Sequence, residues 1–199
     1  MSTDQATRPY AGQNLVVLSG PAGAGKTTVA AELPKRLPLA VSTSATTRQP
    51  RPGEQDGVAY HFLDKAEFER RAKAGRFVEW AEVFGHYYGT PLEEVERARA
   101  AGKRLLLEID VQGGIQIKRK YPEALAILLL PPEPQALRAR LAKRGTEAPE
   151  EVERRLAKAQ EEVRMARESH AYDVEVTNDR LPDTIREVVS IIQTHRRIA

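Results

Sequence analysis

A glycine-rich octapeptide has the residue types and spacing of a phosphate-binding loop, Gly20-Pro21-Ala22-Gly23-Ala24-Gly25-Lys26-Thr27. It fits the pattern G-x-x-x-x-G-K-[ST] and lies between an apolar stretch, Leu15–Leu18, and a helical pattern, Thr28–Leu33. Glycines let successive N–H groups turn toward a phosphate, and the following helix start adds partial positive charge. Lys26 is expected to reach the β- and γ-phosphates, and the Thr27 hydroxyl to bind Mg²⁺. The alternative is a glycine-rich turn that binds nothing.

Two acidic residues stand at the end of a second apolar stretch, Leu105–Ile109 and the residue after it. In proteins with a phosphate loop, a carboxylate at the end of such a strand helps to hold Mg²⁺. Asp110 is the candidate for this role, bound directly or through water. Glu108 is expected on the other face, toward the phosphate acceptor. The alternative for Asp110 is a helix N-cap.

A hydroxyl-rich segment, Ser42–Arg51, ends with two arginines three residues apart. Arg48 and Arg51 could both bind one phosphate through forked hydrogen bonds. The alternative is a solvated turn, because Pro52-Gly53 follows directly. The spacing alone favours neither.

The composition of the 199 residues, 41% hydrophobic and 30% charged, is that of a globular protein and excludes general disorder. A chain without cysteine forms neither disulfides nor thiolate metal sites. The longest apolar run, Ala124–Leu130, is far shorter than the ~20 residues of a membrane helix. The net charge of +3 admits nucleic acid, but anionic small molecules explain it equally well.

The first thirteen residues, Met1–Gln13, are polar and lack the apolar centre of a signal peptide. We therefore expect a disordered tail over 1–13. The short apolar runs lead us to expect no contact with a membrane, and the absence of cysteine is consistent with the expected cytoplasmic location.

Short apolar stretches alternate with helical patterns, which predicts an α/β fold with a mainly parallel sheet. The expected strands are Leu15–Leu18, Leu39–Ser42, Leu105–Ile109, Ala126–Leu130 and Val174–Thr177. Pro34 is expected to kink or end the first helix early. Thr90, followed by Pro91 and by Glu93, is expected to cap a helix.

Two further regions differ from this pattern. Aromatic residues gather between Gly57 and Gly89, which suggests a small antiparallel element. Two charged helical stretches, Glu133–Gly145 and Pro149–His170, show little apolar face and are expected to form a mobile lid.

The chain resembles the guanylate kinase family, of bacterial type, over Asn14 to its C-terminus. The motifs that carry the resemblance occur in the family's order: the phosphate loop, Thr46–Glu54, Gly57–Phe62, Phe77–Ala81, Tyr87–Thr90, Glu108–Gly113, Arg144–Glu147 and Val176–Asp179. The resemblance implies the P-loop nucleoside monophosphate kinase fold, with its core at about 14–42, 91–134 and 171–199. It implies a GMP-binding element at about 43–90 and a helical lid at about 135–170.

The resemblance also implies roles for residues on the GMP side. Glu79 would accept hydrogen bonds from the adjacent N1–H and N2–H₂ donors of guanine, which adenine lacks. Ser44 and Thr90 would offer hydroxyls to guanine O6 and N7. The GMP phosphate would be held by Arg48, Arg51, Tyr60 and Tyr88. Glu108, at a position that is often Asp in the family, would also contact GMP.

On the ATP side, the resemblance implies contacts from Gly20 through Thr27 together with Thr28, Arg144 and Asn178. The implied catalytic residues are Lys26, Arg140, Arg144 and Arg155. The implied reaction is transfer of the γ-phosphate from ATP to GMP with Mg²⁺, giving ADP and GDP, with ATP and GMP as the partners and no nucleic acid. No sequence feature indicates an oligomeric state.

Three alternatives remain at this point. A kinase for another phosphate acceptor, such as a ribose bisphosphate, would not need Glu79, Ser44 and Thr90. A guanylate-kinase-like module that binds phosphopeptides typically has a degraded phosphate loop, whereas Lys26 and Thr27 are present here. A nucleic-acid binder would show affinity that falls steeply with salt.

Overall fold

A parallel sheet and a smaller second sheet organise the computed structural model, which describes residues 12–132, 137–138 and 149–195. Along the described chain, the strands are β1 (Leu15–Ser19), β2 (Leu39–Val41), β3 (Ala45–Thr46), β4 (His61–Phe62), β5 (Phe77–Val83), β6 (His86–Pro91), β7 (Arg104–Glu108), β8 (Leu125–Leu130) and β9 (Val174–Thr177). The helices are α1 (Lys26–Glu32), α2 (Lys65–Lys73), α3 (Leu92–Ala100), α4 (Val111–Lys120), α5 (Pro149–Ser169) and α6 (Leu181–His195). Each strand predicted for the parallel sheet is confirmed within one residue at either end.

β1 is the central strand of the parallel sheet, whose order is β2-β7-β1-β8-β9. All of its neighbouring pairs are parallel. The carboxyl ends of β1, β7 and β9 therefore meet at one edge of the sheet. β2 and β7 lie on one side of β1, whereas the later strands β8 and β9 lie on the other. At such a reversal of strand order, α/β proteins have a crevice at the carboxyl edge in which they bind ligands.

Alternate side chains of β1 pack on opposite faces of the sheet. Val16 and Leu18 contact the core formed with α1 and α6, whereas Leu15 and Val17 contact the core formed with α3 and α4. All four side chains are fully buried, and such burial is worth roughly 1.5–3 kcal/mol for each. The loop that follows β1 thus starts from a strand fixed on both faces.

The second sheet has the order β4-β3-β6-β5 and is covered by α2. Phe68 of α2 stacks on Phe77 of β5 with ring centroids 4.5 Å apart. The pairs β5–β6 and β3–β6 are antiparallel, as expected for this element, but β3 and β4 pair in parallel. The sheet is thus mixed, because the long loop between β3 and β4 brings β4 back in the same direction.

The ends of two helices test the sequence predictions. α1 stops at Glu32 and continues as a short 3₁₀ turn that contains Pro34, so its early end is confirmed. Thr90 does not cap α3, because the N-cap is Pro91 and makes no side-chain hydrogen bond. The predicted cap is wrong because Thr90 lies in β6, where its hydroxyl donates to Glu79.

α5 confirms the predicted long helix but has a clearer apolar face than expected. Val152, Leu156 and Ala159 are buried with Leu137, and Ala166 packs in a cluster with residues of α4. Their spacing of three or four residues puts them on one side of the helix. The expectation of little apolar face is therefore wrong for α5.

Several predictions fall outside the described residues. They concern residues 1–11 of the expected tail, residues 133–136 and 139–148 of the expected lid, and the last four residues. Gly12, which the prediction includes in the tail, is buried and begins a 3₁₀ turn, Gly12–Asn14.

Gly89 in β6 leaves no room for a side chain. A Cβ at this position would lie 2.9 Å from Trp80 Cβ, 3.0 Å from the Glu79 carbonyl oxygen and 3.2 Å from Phe77 Cδ1. We expect Gly89→Ala to lower the free energy of unfolding by about 1–3 kcal/mol, as overpacked cores do. Urea denaturation would measure this, and an unchanged midpoint would show that the hairpin adjusts freely.

Candidate active site

A cleft of about 870 Å³ lies between the carboxyl edge of the parallel sheet and the second sheet. It gathers most of the residues that the sequence singled out. Those in its wall are Lys26, Thr27, Thr28, Ser44, Arg48, Arg51, Tyr60, Glu79, Tyr88, Glu108, Asp110 and Arg155. Its size is within the usual range for small-molecule sites.

The phosphate loop occupies the end of the cleft next to β1. Gly20, Gly23 and Gly25 have φ angles of 151°, 85° and 96°, which L side chains rarely adopt. α1 begins at Lys26, directly after the loop. The Lys26 ammonium donates to the carbonyl oxygens of Gly20 at 2.6 Å and Pro21 at 3.2 Å. These bonds hold its charge over the loop.

Asn178, predicted to contact ATP, supports the loop from behind. Its side-chain amide donates to the Ala24 carbonyl oxygen at 2.8 Å, and the side chain is buried. A Cβ at Gly25 would lie 2.3 Å from Asn178 Nδ2. The structure thus brings Asn178 to the loop, although the cleft wall does not include it.

Thr27 and the two acidic residues at the end of β7, Glu108 and Asp110, test the predicted magnesium site. The Thr27 hydroxyl donates to Glu108 Oε1 at 2.6 Å, so the structure brings Glu108 rather than Asp110 to this hydroxyl. Asp110 is the N-cap of α4, where its Oδ1 accepts from the Gly113 N–H at 2.9 Å. It lies in the cleft wall as well.

These oxygens suit Mg²⁺, which prefers hard oxygen ligands and is usually bound by one or two protein groups plus phosphates and water. In the described ranges, no three His, Asp or Glu side chains come together as a metal site. The Thr27 hydroxyl and the Glu108 and Asp110 carboxylates are oxygen donors of this kind in the cleft wall.

Glu79 lies in the part of the cleft formed by the second sheet. The carboxylate is buried, and Oε1 accepts from the Thr90 hydroxyl at 2.7 Å and the Thr90 N–H at 3.0 Å. Burial raises the pKa of Glu79 to about 7, although the hydrogen bonds from Thr90 act in the opposite direction. The negative charge of Asp110 raises it further. Thr90 thus supports Glu79 and does not itself line the cleft.

The two predicted arginines lie in the same wall as Tyr60 and Tyr88. The Arg48 guanidinium donates to both oxygens of Glu54, at 2.9 and 3.0 Å, and lies 5.4 Å from the centre of the Tyr60 ring. The backbone N–H of Arg51 donates to Glu54 as well. Glu54 was not predicted as part of the site, although its position three residues after Arg51 could have indicated it.

α5 brings one of the three predicted catalytic arginines to the cleft. Arg155 lines the wall, whereas Arg140 and Arg144 lie outside the described residues. The preceding residue, Arg154, lies 5.9 Å from the ring of Phe84, at the tip of the β5–β6 hairpin. α5 thus contacts the second sheet on the far side of the cleft from the phosphate loop.

The fold and the site together define a nucleotide-binding protein of the phosphate-loop class. Residues 12–195 match the family model described as guanylate kinase. The chain is 46% identical over 183 residues to the guanylate kinase of Symbiobacterium thermophilum, covering 92% of this chain and 85% of that one. A guanylate kinase of Thermus thermophilus is also 46% identical, covering 92% and 82%. A crystal structure of guanylate kinase from Anaplasma phagocytophilum has a TM-score of 0.75 and 32% identity, covering 92% and 85%.

The chain belongs to the guanylate kinase family. The resemblance and the fold class predicted from the sequence are both confirmed.

The raised pKa of Glu79 predicts how stability depends on pH. A carboxyl whose pKa is near 7 when folded and near 4.5 when unfolded holds its proton more tightly in the folded protein. The wild type should therefore lose stability as pH rises from about 4.5 to about 7. Glu79→Gln, which does not titrate, should be more stable than the wild type at pH 8, by roughly 3 kcal/mol at most.

Urea denaturation of both proteins at pH 4.5, 6 and 8 measures this difference. We expect it to be smallest at pH 4.5, where the carboxyl is protonated in the folded wild type and about half protonated in the unfolded chain. A wild type that is the more stable protein at pH 8 would contradict the raised pKa.

Proposed function

We propose that this chain transfers the γ-phosphate of ATP to GMP, giving ADP and GDP, in the cleft described above. The observation that carries this proposal is the buried Glu79 carboxylate, which faces the cleft across from the phosphate loop. A single carboxylate can accept from the adjacent N1–H and N2–H₂ groups of guanine. Membership of the guanylate kinase family supports the same reaction.

In this proposal, residues 43–90 bind GMP. Glu79 reads the base, Ser44 offers a hydroxyl to it, and Thr90 supports Glu79 through its own hydroxyl. Arg48 and Arg51 hold the phosphate together with Tyr60 and Tyr88. Arg48 would exchange part of its pairing with Glu54 for the phosphate. Glu108, hydrogen-bonded to Thr27, is then close to both nucleotides and is proposed as a contact to either GMP or the metal.

On the donor side, the loop Gly20–Thr27, with Thr28, binds the ATP phosphates through its N–H groups. Thr27 and either Glu108 or Asp110 would hold Mg²⁺, which supplies positive charge to the phosphates when bound. Lys26 would leave the loop carbonyls for the β- and γ-phosphates. Arg144 and Asn178 remain predicted ATP contacts.

The reaction needs no general base. The second pKa of a phosphate monoester is near ~6, so the attacking GMP oxygen is already ionised at neutral pH. The protein must therefore align the two nucleotides, exclude water and neutralise charge on the transferring group. Lys26 and Arg155 supply that charge from the described residues, and Arg140 and Arg144 are proposed to add to it.

The proposed partners are ATP and GMP, with no nucleic acid or membrane, and the proposed location is the cytoplasm. No helix in the described ranges has both the length and the hydropathy that crossing a bilayer requires.

A coupled ADP-release assay tests the function directly. With MgATP, we expect turnover with GMP and little with AMP, UMP, dTMP or ribose 1,5-bisphosphate. Lys26→Ala should lower the rate by on the order of 10²-fold or more, because it removes a charge at the transferring group. Glu79→Ala should lose mainly the GMP-dependent rate.

Lys35→Ala is the matched control, since Lys35 is an exposed lysine paired with Glu32 on the same helical segment. Its activity should equal that of the wild type. Use of ribose 1,5-bisphosphate without GMP would keep the donor site but refute the guanine site. A protein that phosphorylates no acceptor would instead favour a phosphopeptide-binding module.

The pKa of Glu79 also predicts a pH-dependent KM. Only the ionised carboxylate accepts both guanine donors, and it forms above pH 7 in the free protein. The KM for GMP should therefore rise by about tenfold from pH 8 to pH 6, beyond any effect of the GMP phosphate itself.

The variant Glu79→Gln separates the titration of the Glu79 carboxyl from that of the GMP phosphate. This variant binds GMP more weakly but retains the titration of the substrate phosphate, so its KM should change less with pH. Parallel profiles for both proteins would mean that Glu79 does not control GMP binding.

A further inference from the structure

The first turn of α4 contains two adjacent glycines, one approached by the buried Glu79 and the other by the half-buried Tyr172. A Cβ at Gly113 would lie 2.7 Å from Glu79 Oε2, and a Cβ at Gly114 would lie 2.3 Å from the Tyr172 hydroxyl. Glycine destabilises a helix relative to alanine. The pair therefore makes room for two specific contacts, of which the proposed function explains only that of Glu79.

Tyr172 connects two segments that form the donor side of the cleft. Its hydroxyl donates to Ser19 Oγ at 2.9 Å and lies 3.2 Å from a second acceptor, the Val111 carbonyl oxygen. Ser19 is fully buried and directly precedes Gly20, the first residue of the phosphate loop. Val111 follows Asp110 and begins α4. Burial raises the pKa of Tyr172, which keeps its hydroxyl protonated as a donor.

This contact lies where the sheet no longer holds the two segments together. The paired register of β1 and β7 ends at Leu18 and Glu108, and the last bond runs from the Ile109 N–H to the Leu18 carbonyl oxygen. Beyond it, β1 continues into the phosphate loop and β7 into α4. Tyr172, which precedes β9, spans the gap between them.

We propose that Tyr172 is a positioning residue for phosphoryl transfer. Its hydroxyl sets the spacing between the start of the phosphate loop and the start of α4, and so between Lys26 and the Glu108–Asp110 segment. This inference rests on the proposed function. Because transfer depends on alignment of the reacting groups to within about an ångström, loss of this contact should act on kcat.

The carboxylate that is proposed to bind the base has its hydrogen bonds in the second sheet, and Tyr172 is not one of their partners. Glu79 Oε2 lies close to Gly113, the residue before the Gly114 that Tyr172 approaches, whereas Thr90 in β6 donates both hydrogen bonds to Oε1. The KM for GMP should therefore change little when the Tyr172 hydroxyl is removed. A split between kcat and KM distinguishes positioning of the donor side from a general loss of structure.

Steady-state kinetics of Tyr172→Phe with MgATP and GMP test the proposal. We expect kcat to fall about tenfold while the KM for GMP stays within about twofold. Tyr121→Phe is the matched control, because Tyr121 is fully buried at the opposite end of α4. It should keep the wild-type kcat.

The double variant Ser19→Ala/Tyr172→Phe separates position from stability. Removing both partners of a buried hydrogen bond restores much of the stability lost when one partner is removed. We expect its urea midpoint to recover toward that of the wild type while kcat stays low. A kcat that recovers together with stability would overturn the proposal. If Tyr172→Phe does not fold, Ser19→Ala alone should lower kcat at least threefold, and an unchanged kcat would also overturn it.

The wild-type assay distinguishes this inference from the proposed function. If the wild type does not phosphorylate GMP, the proposed function and the positioning role of Tyr172 are both refuted. If the wild type is active and Tyr172→Phe has the same kcat, only the positioning role is refuted.

Discussion

The phosphate loop depends on packing so close that two of its glycines have no room for a side chain. A Cβ at Gly20 would lie 2.1 Å from the Leu129 carbonyl oxygen in β8, and one at Gly25 would meet Asn178. The loop is therefore shaped by β8 and by the residue that follows β9, while β1 fixes its start from both faces. The backbone shape of the loop is thus fixed by its neighbours in the protein. Preorganised dipoles stabilise developing charge without the cost of reorienting during the reaction. The strand order of the parallel sheet, which puts β8 next to β1, thus helps to determine the shape of the phosphate loop.

Glu79 poses the opposite problem, because a buried carboxylate destabilises the fold when it is charged. Both hydrogen bonds from Thr90 go to Oε1, whereas Oε2 faces Gly113. With a pKa near 7, the group is close to half ionised at neutral pH. A ligand edge with two donors would stabilise the charged form, whereas an edge with an acceptor would oppose it. Part of the binding free energy of guanine would then be used to ionise Glu79, which makes bases without both donors poor substitutes.

The sequence predicted the parts of the site that depend on local pattern. The phosphate loop and the strand before it have spacings that determine their own local structure, and the structure has them where expected. Glu108 and Asp110 both line the cleft, but Glu108, which was expected on the other face, is the partner of Thr27. Contacts between distant segments were not predictable from spacing. Thr90 has the sequence of a helix cap, yet its hydroxyl is held by Glu79, eleven residues earlier in the neighbouring strand. Tyr172 was not predicted as part of the site, because no local pattern connects it with its partner Ser19, 153 residues away in the chain.

α5 joins the two halves of the cleft through contacts of different strength. Near its start, Arg154 lies over the exposed Phe84 ring, a type of contact worth about 0.5–1 kcal/mol at an exposed site. Further along, Ala166 packs in a buried cluster with residues of α4. Glu162 is buried between these regions, and burial raises its pKa whereas the charge of Lys26 lowers it, so it faces the phosphate loop. α5 thus packs on α4 toward its C-terminal end and contacts the β5–β6 hairpin near its N-terminal end, where Val152 and Leu156 are also buried. Arg155 lies next to the contact with the hairpin, so α5 brings this arginine into the cleft wall between the second sheet and the phosphate loop.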